Sequence, residues 1–273
     1  MIEIPLNDGY ILSSFFKHTH DSCPEAFLHG VMGRGFTDSL NHPAYGIIQV
    51  GDFCFLDGNE EDSSDQNTLA LLNDYFQNPG MIFIPLSESW SRQFDMDPAY
   101  SKDIRYAMSK PDIQDFNKEQ LISYICQTAY DPDYPETSFK GDFIIQPINE
   151  EYYHTVQQHA WSKDFTSNYP DYSAFNHLGF GFLILEKKTG TLTAGASSFS
   201  SSLNSIEIEI ATNPDYRKRG LATAVSARMV LECIKRNKYP SWDAANRISV
   251  AVAQKLGYRF KEEYTCYKLV HCA

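Results

Sequence analysis

Long apolar runs are missing from this sequence of 273 residues. No stretch approaches the roughly 18 apolar residues that a membrane-spanning helix requires. The N-terminal segment MIEIPLNDGY also lacks the basic residues and the apolar run of a secretory signal peptide. We therefore expect a soluble protein located in the cytoplasm.

Positive charge is scarce, because 23 Lys and Arg residues stand against 35 Asp and Glu residues and give a formal net charge of -12. Nucleic acids and anionic membranes bind net basic surfaces. The composition therefore argues against both as partners. A cationic substrate agrees better with this charge.

Cysteine is sparse, with six residues and no C-x-x-C pair. A zinc cluster or a secreted disulfide framework is therefore not expected. We expect the cysteines to be buried, reduced thiols. His18, His20, Asp21 and Cys23 are of metal-ligating types, but zinc sites draw ligands from separated segments and nothing nearby supplies the rest. We predict no metal.

A chain of this length suits two domains of ordinary size. The segment DPDYPE at 131–136 is rich in turn formers and lacks periodicity, which predicts a boundary there. We expect residues 1–135 to form an N-terminal mixed α/β domain and residues 141–273 to form a second domain.

The first half contains short apolar runs separated by turn residues. These runs predict strands at 46–50, 53–56 and 81–85, and helices at 68–76 and after the capping residue Asn117. An acidic loop is expected at 59–66, and Asn78-Pro79-Gly80 is expected to end the first of these helices. The glycine-rich run at 30–35 follows no clear strand, so we interpret it as a flexible loop.

The second half begins with a predicted strand at 143–148 and a helix capped by Asn149. Two apolar runs at 180–185 and 191–199 predict a β-hairpin. The segment 161–173 between them and the helix is expected to lie on the surface, over the site that binds the acceptor.

A strand and a basic loop follow. Ile206, Ile208 and Ile210 alternate with Glu207 and Glu209, which predicts a strand with one apolar and one carboxylate face. The next segment, NPDYRKRGLATA at 213–224, turns and opens a helix that we expect to run to about residue 236. Free N–H groups at a helix start, beside a glycine and three cationic side chains, predict a phosphate or pyrophosphate site.

Two motifs carry a family resemblance. The loop Arg217-x-x-Gly220-x-Ala222 resembles the acyl-coenzyme A loop of the GNAT N-acetyltransferase superfamily. Downstream, Asn246-x-x-Ser249 followed by Lys-Leu-Gly-Tyr at 255–258 is similar to the second signature of that superfamily. The amino-acid sequences of both segments are most similar to those of a bacterial subgroup that includes zwittermicin A resistance-type acetyltransferases.

The resemblance implies an α/β (α+β) fold with a C-terminal GNAT-like mixed central sheet flanked by helices. It implies direct transfer of an acetyl group from acetyl-CoA, a cosubstrate, to the amine of a small molecule in a ternary complex. No metal is implied. A homodimer is the candidate assembly, and the sequence does not decide the oligomeric state.

The resemblance also implies roles for named residues. The pyrophosphate is expected on Arg217, Lys218, Arg219, Gly220, Leu221, Ala222 and Thr223. Backbone N–H groups near Ala211, Thr212 and Asn213 are expected to polarise the thioester carbonyl. Asn246 is expected to contact the pantetheine arm and Ser249 to support the next helix, although a purely structural capping role is an alternative for both.

Glu207 and Glu209 are the candidates for the general base. On one strand face, their mutual repulsion raises the pKa of one of them. The alternative is that they face solvent or pair with a basic neighbour. Glu209 is favoured because it is closer in sequence to Ala211, and Asp243 is a further alternative.

The pattern departs from the superfamily at Ala253, where many relatives carry a tyrosine that protonates the coenzyme A thiolate. This departure favours, as an alternative function, a catalytically weak module that binds or senses coenzyme A or its acyl form. An unrelated phosphate-binding α/β protein is a third hypothesis, which requires the second signature to be coincidental. The sequence does not identify the acceptor.

Overall fold

The computed structural model describes residues 1–17, 19, 21–59, 61, 68–76, 80–109, 112–135 and 141–270. Several sequence predictions lie outside the described residues. These are His18 and His20, most of the acidic loop at 59–66, the helix stop at Asn78-Pro79, the last residue of the boundary segment and Cys272.

The larger of two mixed sheets has the strand order β1-β2-β3-β4-β5-β13-β6-β12. Its β4–β5 pair is parallel and its other pairs are antiparallel. The strands are β1 (Ile2–Ile4), β2 (Arg34–Thr37), β3 (Tyr45–Val50), β4 (Phe53–Gly58), β5 (Ile82–Pro85), β6 (Tyr100–Ser109), β12 (Asp243–Ala244) and β13 (Arg259–Leu269).

The smaller sheet has the strand order β11-β10-β9-β8-β7 and carries the predicted hairpin. Only its β10–β11 pair is parallel. The strands are β7 (Phe143–Pro147), β8 (Gly181–Glu186), β9 (Leu192–Ser201), β10 (Ser205–Thr212) and β11 (Tyr239–Ser241). Trp242 alone separates β11 from β12, so the chain passes from one sheet to the other at this residue.

Helices flank both sheets, which confirms the predicted mixed α/β class. Among the described residues, no helix combines the length and the apolar character needed to span a bilayer. The helices are α1 (Cys23–Leu28), α2 (Thr68–Tyr75), α3 (Glu88–Met96), α4 (Lys118–Thr128), α5 (Glu150–Val156), α6 (Tyr172–Leu178), α7 (Leu221–Lys235) and α8 (Arg247–Leu256).

Helix α7 is the centre of the main core cluster. Its Leu221, Val225 and Met229 are buried in one cluster with Ile206 and Ile208 of β10, with residues of α4 and with residues of α8. The predicted alternation in β10 is thereby confirmed, because the isoleucine face packs on α7 and leaves the glutamates on the other face.

Most predicted elements of the first half are confirmed, namely β3, β4, β5, α2 and α4. The prediction of a flexible loop at 30–35 was wrong in part, because Arg34 and Gly35 already belong to β2 and pair with β3. Strand β6 was missed because its sequence YSKDIRYAMS is polar, and its pairing with β13 exists only in the folded chain.

The prediction that the segment 161–173 lies on the surface was wrong in part, since only some of its residues are exposed. Phe165 and Tyr169 are buried, and a Cβ atom added at Gly195 of β9 would lie 2.5 Å from the Phe165 ring. These aromatic side chains fill the face of β9 that α7 does not cover. Asp164, next to Phe165, stays exposed.

The predicted boundary near residue 135 is crossed by strand pairing. Strand β13, close to the C-terminus, pairs with both β5 and β6 of the first half, and β12 also pairs with β6. The division into domains at 1–135 and 141–273 therefore stays a prediction, and we propose to test it by expressing residues 141–273 alone.

Asn117 is the predicted cap of α4, and its side chain accepts a hydrogen bond from the Gln120 N–H at 3.0 Å. We expect Asn117→Ala to lower the free energy of unfolding by about 1 kcal/mol, because one helix N–H loses its partner. Urea denaturation measures this change. The neighbouring exposed substitution Lys118→Ala is the control, and equal midpoints for the two variants would contradict the capping role.

Candidate active site

The basic loop connects β10 to α7 through left-handed backbone. Lys218 has a φ of 64° and Gly220, the residue before α7, has a φ of 78°. Glycine adopts this region without the steric cost that a Cβ atom brings. The sequence therefore places a glycine where the chain reverses into the helix.

The start of α7 leaves hydrogen-bond donors available. Its first intrahelical bond runs from the Ala224 N–H to the Gly220 carbonyl at 3.1 Å, and no side chain caps the helix. The N–H groups of Leu221, Ala222 and Thr223 have no partner among the described residues, as expected for a first turn. The structure thus brings these predicted residues together at one helix end.

The cationic side chains of the loop are exposed. Arg217, Lys218 and Arg219 form no ion pair within the described part of the chain. The Arg219 guanidinium lies 5.0 Å from the centre of the Tyr216 ring. Thr128, at the end of α4, borders the loop, since a Cβ atom at Gly220 would lie 3.5 Å from its Oγ1. Sequence reasoning missed this neighbour.

Strand β10 has an open edge after Glu207. Its parallel pairing with β11 covers only Ser205 to Glu207, and beyond that point no described strand pairs with this side of β10. On the other side, β10 stays paired with β9 as far as Thr212. The splayed strands that the resemblance implies are therefore present.

Alternation of the backbone decides which N–H groups face this open edge. Asn213 donates its N–H to the Thr193 carbonyl of β9 at 2.9 Å. Because successive N–H groups of a strand point to opposite sides, that of Ala211 also points to β9, whereas those of Thr212 and Ile210 point to the open edge. Of the three predicted donors only Thr212 faces the opening, and Ile210 was missed.

Glu209 is half-buried beside this opening. No side chain of the described residues donates a hydrogen bond to its carboxylate. Burial, together with the charges of Asp164 and Asp52, raises its pKa to about 8, although Arg105 and the Ile210 backbone N–H act in the opposite direction. A carboxyl group that titrates near neutral pH suits a general base.

Glu207 is buried more deeply and is held by hydrogen bonds. Its carboxylate accepts from the Ser22 Oγ at 3.0 Å and from the Asp243 backbone N–H at 2.8 Å. Burial raises its pKa well above the usual value, and Asp21 and Asp243 contribute. Its fixed position suits orientation of a ligand or of the strand better than proton exchange with an acceptor.

Asp243 is the partner of Arg105 in β6. Their ion pair measures 2.5 Å, and the Tyr264 hydroxyl donates to the other Asp243 oxygen at 2.9 Å. Burial raises the pKa of Asp243 to about 6 despite the Arg105 guanidinium. Arg105 was missed at the sequence level, because it is 138 positions away from its partner.

The second signature forms the start of α8. The Asn246 side chain accepts hydrogen bonds from the N–H groups of Ile248 and Ser249, both at 3.0 Å. The Ser249 Oγ accepts from the Trp242 Nε1 at 3.0 Å. Both side chains therefore have partners within the protein, as the structural alternative for them requires, and their roles toward a cosubstrate stay predictions.

Tyr258, near Ala253, already forms a hydrogen bond within the protein. Ala253 is buried in α8, and the buried Tyr258 donates its hydroxyl to the Pro240 carbonyl at 2.6 Å. Burial raises the pKa of Tyr258 well above its usual value. Tyr258 is thus a core residue, as predicted from its position after Gly257.

Asp21 and Cys23 approach Glu207 in the folded chain. One ligand atom from each of these three buried residues lies within 4.8 Å of the others. The Cys23 N–H donates to Asp21 at 2.7 Å and the Cys23 thiol lies 3.3 Å from the Ser200 Oγ. Sequence reasoning found nothing near the 18–23 segment to complete a ligand set and missed this approach. The prediction of no metal stays a prediction.

The arrangement combines an open strand edge, a helix start with cationic side chains and a carboxyl group with a raised pKa. A family profile described as GNAT acetyltransferase matches residues 13–267, nearly the whole chain. The chain belongs to the GNAT acetyltransferase family. The match includes the first half, so the family relationship is not confined to the two motifs.

Individual proteins are also similar to this chain. An uncharacterised N-acetyltransferase, YdfB from Bacillus subtilis (strain 168), is 36% identical over 97 residues, which are 35% of this chain and 36% of that protein. The matched segment thus spans about a third of the curated relative. The GCN5-related N-acetyltransferase-like protein from Streptococcus suis 89/1591 has a TM-score of 0.82 and 27% identity, with 98% of this chain and all of that chain covered.

A more distant solved structure has the same fold. The tandem GNAT protein from the clavulanic acid biosynthesis pathway has a TM-score of 0.54 and 8% identity, with 98% of this chain and 96% of that chain covered. At this identity the similarity concerns the fold alone.

Proposed function

We propose that this protein is an acetyl-CoA-dependent N-acetyltransferase that transfers an acetyl group to the amine of a small molecule by direct transfer in a ternary complex. The observation that carries this proposal is the open edge of β10. There the N–H groups of Ile210 and Thr212 lie in the strand that presents Glu209, and the start of α7 follows at Leu221.

The loop residues fit a coenzyme A pyrophosphate. Three free N–H groups at the helix start bind anions, and the helix dipole favours negative charge there. Exposed Arg217, Lys218 and Arg219 add positive charge, and Gly220 lets the backbone approach closely. Acetyl-CoA, when bound, supplies the thioester whose acetyl group is transferred.

The residues of the open edge provide the remaining chemistry. Glu209 removes a proton from the acceptor ammonium, and the neutral amine then forms its C–N bond as the C–S bond of the thioester breaks. The N–H groups of Ile210 and Thr212 stabilise the negative charge that develops on the acyl oxygen. The nitrogen loses its second proton to solvent water as the amide forms. The departing thiolate takes a proton from water, because a thiol with a pKa near 8.5 leaves without an enzymic acid.

A module that binds or senses coenzyme A is the alternative function. It is favoured by Ala253 and by the Tyr258 hydroxyl, which is already bound to the Pro240 carbonyl. No phenol at these two positions is free to protonate a thiolate. The two functions predict the same binding of acetyl-CoA and differ in turnover.

Turnover is tested by mixing the full chain with acetyl-CoA and a panel of amines that includes polyamines, aminoglycosides, amino sugars and amino acids. For a transferase we expect time-dependent release of free thiol and an acetylated amine detected by mass spectrometry. Calorimetric binding of acetyl-CoA with no thiol release for any amine would favour the sensing module instead.

Finer assignments accompany this proposal. We propose membership in the bacterial subgroup that is similar to zwittermicin A resistance-type acetyltransferases, supported by the amino-acid sequences of the 205–224 and 242–258 segments.

We propose a cytoplasmic location, supported by the five described cysteines, all of which are free thiols. Sedimentation will distinguish a monomer from a homodimer.

A further inference from the structure

Three carboxylates from separate parts of the chain converge beside the open edge of β10. They are Asp52 before β4, Asp164 before the buried Phe165, and Glu209 of β10, and we call them the carboxylate trio. Residues 163–165 contact both β9 and β10, which places Asp164 near Glu209, and the charges of Asp164 and Asp52 both raise the pKa of Glu209. The trio is accessible to a ligand, since Asp164 is exposed and the other two are partly exposed.

Packing fixes the positions from which the trio projects. Asn168 contacts the turn before Asp52, because a Cβ atom at Gly51 would lie 2.6 Å from its side chain. The Asn168 Nδ2 also donates to the Phe199 carbonyl of β9 at 2.9 Å. The Phe199 ring in turn packs edge to face on Phe53, with centroids 5.2 Å apart. The first half and the acceptor side of β9 are thus joined around the trio.

The nearby cations are already paired. Arg105 forms its 2.5 Å ion pair with Asp243, and Lys268 pairs with Asp103. Within the described ranges no lysine or arginine forms an ion pair with a member of the trio. Arg105 also attracts Glu209 and Asp52, but its one positive charge is paired with Asp243 and is smaller than the summed negative charge of the trio. A cationic ligand would relieve the repulsion that remains.

A second observation points to a ligand independently of charge. Ser197 of β9 is directly opposite Glu209 in the antiparallel register, so the two side chains share one face of the sheet. The Ser197 side chain is fully buried, and its Oγ has no hydrogen-bond partner among the residues that the structure describes. Buried hydroxyl groups are normally paired, so this hydroxyl is available to a bound amine beside Glu209.

The chemistry of transfer sets how many positive charges the acceptor needs. The reacting amine must be neutral when it attacks, because its proton has passed to Glu209. It therefore does not compensate Asp52 and Asp164 during the reaction. A second amino group, which keeps its proton, does.

We propose that the acceptor of this enzyme carries at least two amino groups, of which one reacts beside Glu209 and Ser197 while the other, as an ammonium, is bound by Asp52 and Asp164. This inference rests on the proposed acetyltransferase function. It names the acceptor as a di- or polycationic amine and assigns Asp52 and Asp164 to specificity.

Matched amines test this proposal. We expect the kcat/KM of thiol release for 1,4-diaminobutane to exceed that for butan-1-amine by about 10-fold or more, because an ammonium–carboxylate hydrogen bond is among the strong ones. The zwitterion 4-aminobutanoate, whose second charge is negative, should be the poorest of the three. Equal kcat/KM for the diamine and the monoamine would overturn the proposal.

Variants assign the effect to the two aspartates. In Asp52→Asn/Asp164→Asn the ratio of kcat/KM for diamine over monoamine should fall to near one, mainly through a higher KM for the diamine. The ratio is the readout because a changed Glu209 environment affects both amines alike. The control Asp115→Asn/Asp142→Asn removes two exposed aspartates elsewhere, and a ratio lost equally in both double variants would contradict the assignment.

Binding separates this inference from the proposed function. If no amine releases thiol, calorimetry of 1,4-diaminobutane with the coenzyme A-loaded protein decides. Binding that is present in wild type, weakened in Asp52→Asn/Asp164→Asn and absent for butan-1-amine would support the dication site without catalysis. No binding of the diamine, or equal binding of both amines, would reject it.

Discussion

We expect Glu209→Gln to lower kcat by about 10²–10⁴-fold, the usual contribution of a general base. Glutamine keeps the shape of the side chain but accepts no proton from the acceptor ammonium. Binding of acetyl-CoA should be unchanged, because Glu209 lies apart from the loop that begins at Arg217. Initial rates of thiol release and calorimetry measure the two quantities on the same preparation.

The pH profile identifies the group. The base must be ionised, and burial with the neighbouring aspartates raises the pKa of Glu209 to about 8, so kcat/KM in wild type should fall as the pH drops below about 8. In the glutamine variant this acidic limb should be lost or shifted to the pKa of the acceptor amine. Its kcat/KM should recover in part at high pH, where free amine is abundant.

The matched control is Glu119→Gln, an exposed glutamate in the first turn of α4 that removes the same charge far from β10. It should keep the wild-type kcat and pH limb. If Glu209→Gln also keeps both, Glu209 is not the base. Glu207→Gln and Asp243→Asn are then the next variants, and water alone is the remaining route.

The second large effect is expected at Gly220. Its φ of 78° is in the left-handed region, and a β-branched residue there costs roughly 1–3 kcal/mol. When that strain displaces the loop, it corresponds to about 5- to 150-fold in affinity. We therefore expect Gly220→Val to raise the Kd of coenzyme A by about this factor, measured by calorimetry.

Gly190 provides a control, because its backbone φ is in the same left-handed region. It lies in the turn between β8 and β9 with a φ of 73° and no atom within 4 Å of an added Cβ. Gly190→Val should therefore cause comparable strain and leave the Kd of coenzyme A unchanged. Lys218→Ala, which removes only an exposed charge, should raise the Kd a few-fold. A wild-type Kd for Gly220→Val would reject the placement of the pyrophosphate.

Local sequence was sufficient for the strand, loop and helix around Gly220. Alternation in Ile206 to Ile210 depends only on the two-residue repeat of a strand, and a glycine before an apolar helical pattern marks the turn. The structure has β10 and α7 at the predicted places, with the isoleucines packed on the helix. Capping by Asn117 and Asn149 was equally local and is also confirmed.

The open edge of β10 was only partly predictable. The resemblance implied splayed strands near Ala211 to Asn213, but which N–H groups face the gap depends on the register with β9. The Thr193 carbonyl accepts a hydrogen bond from the Asn213 N–H. In this register the Ala211 N–H points to β9 and the Ile210 N–H points to the open edge. A register is a tertiary property, because one residue of slip exchanges the two sides of a strand.

The sequence by itself determined the strand, turn and helix of the basic loop, the mixed α/β class and the family resemblance, and it predicted the anion site and the two candidate bases. Each of these depends on residues close together in the chain. Tertiary structure alone decided the surroundings of those bases. The pKa of Glu209 depends on the charges of Asp52, Arg105 and Asp164, which belong to strands and turns far away in sequence. Polar residues at such separations produce no periodic pattern in the sequence. The hydrogen bonds from Ser22 and the Asp243 N–H that hold Glu207, and the partial exposure of Glu209, arise only when these segments pack together.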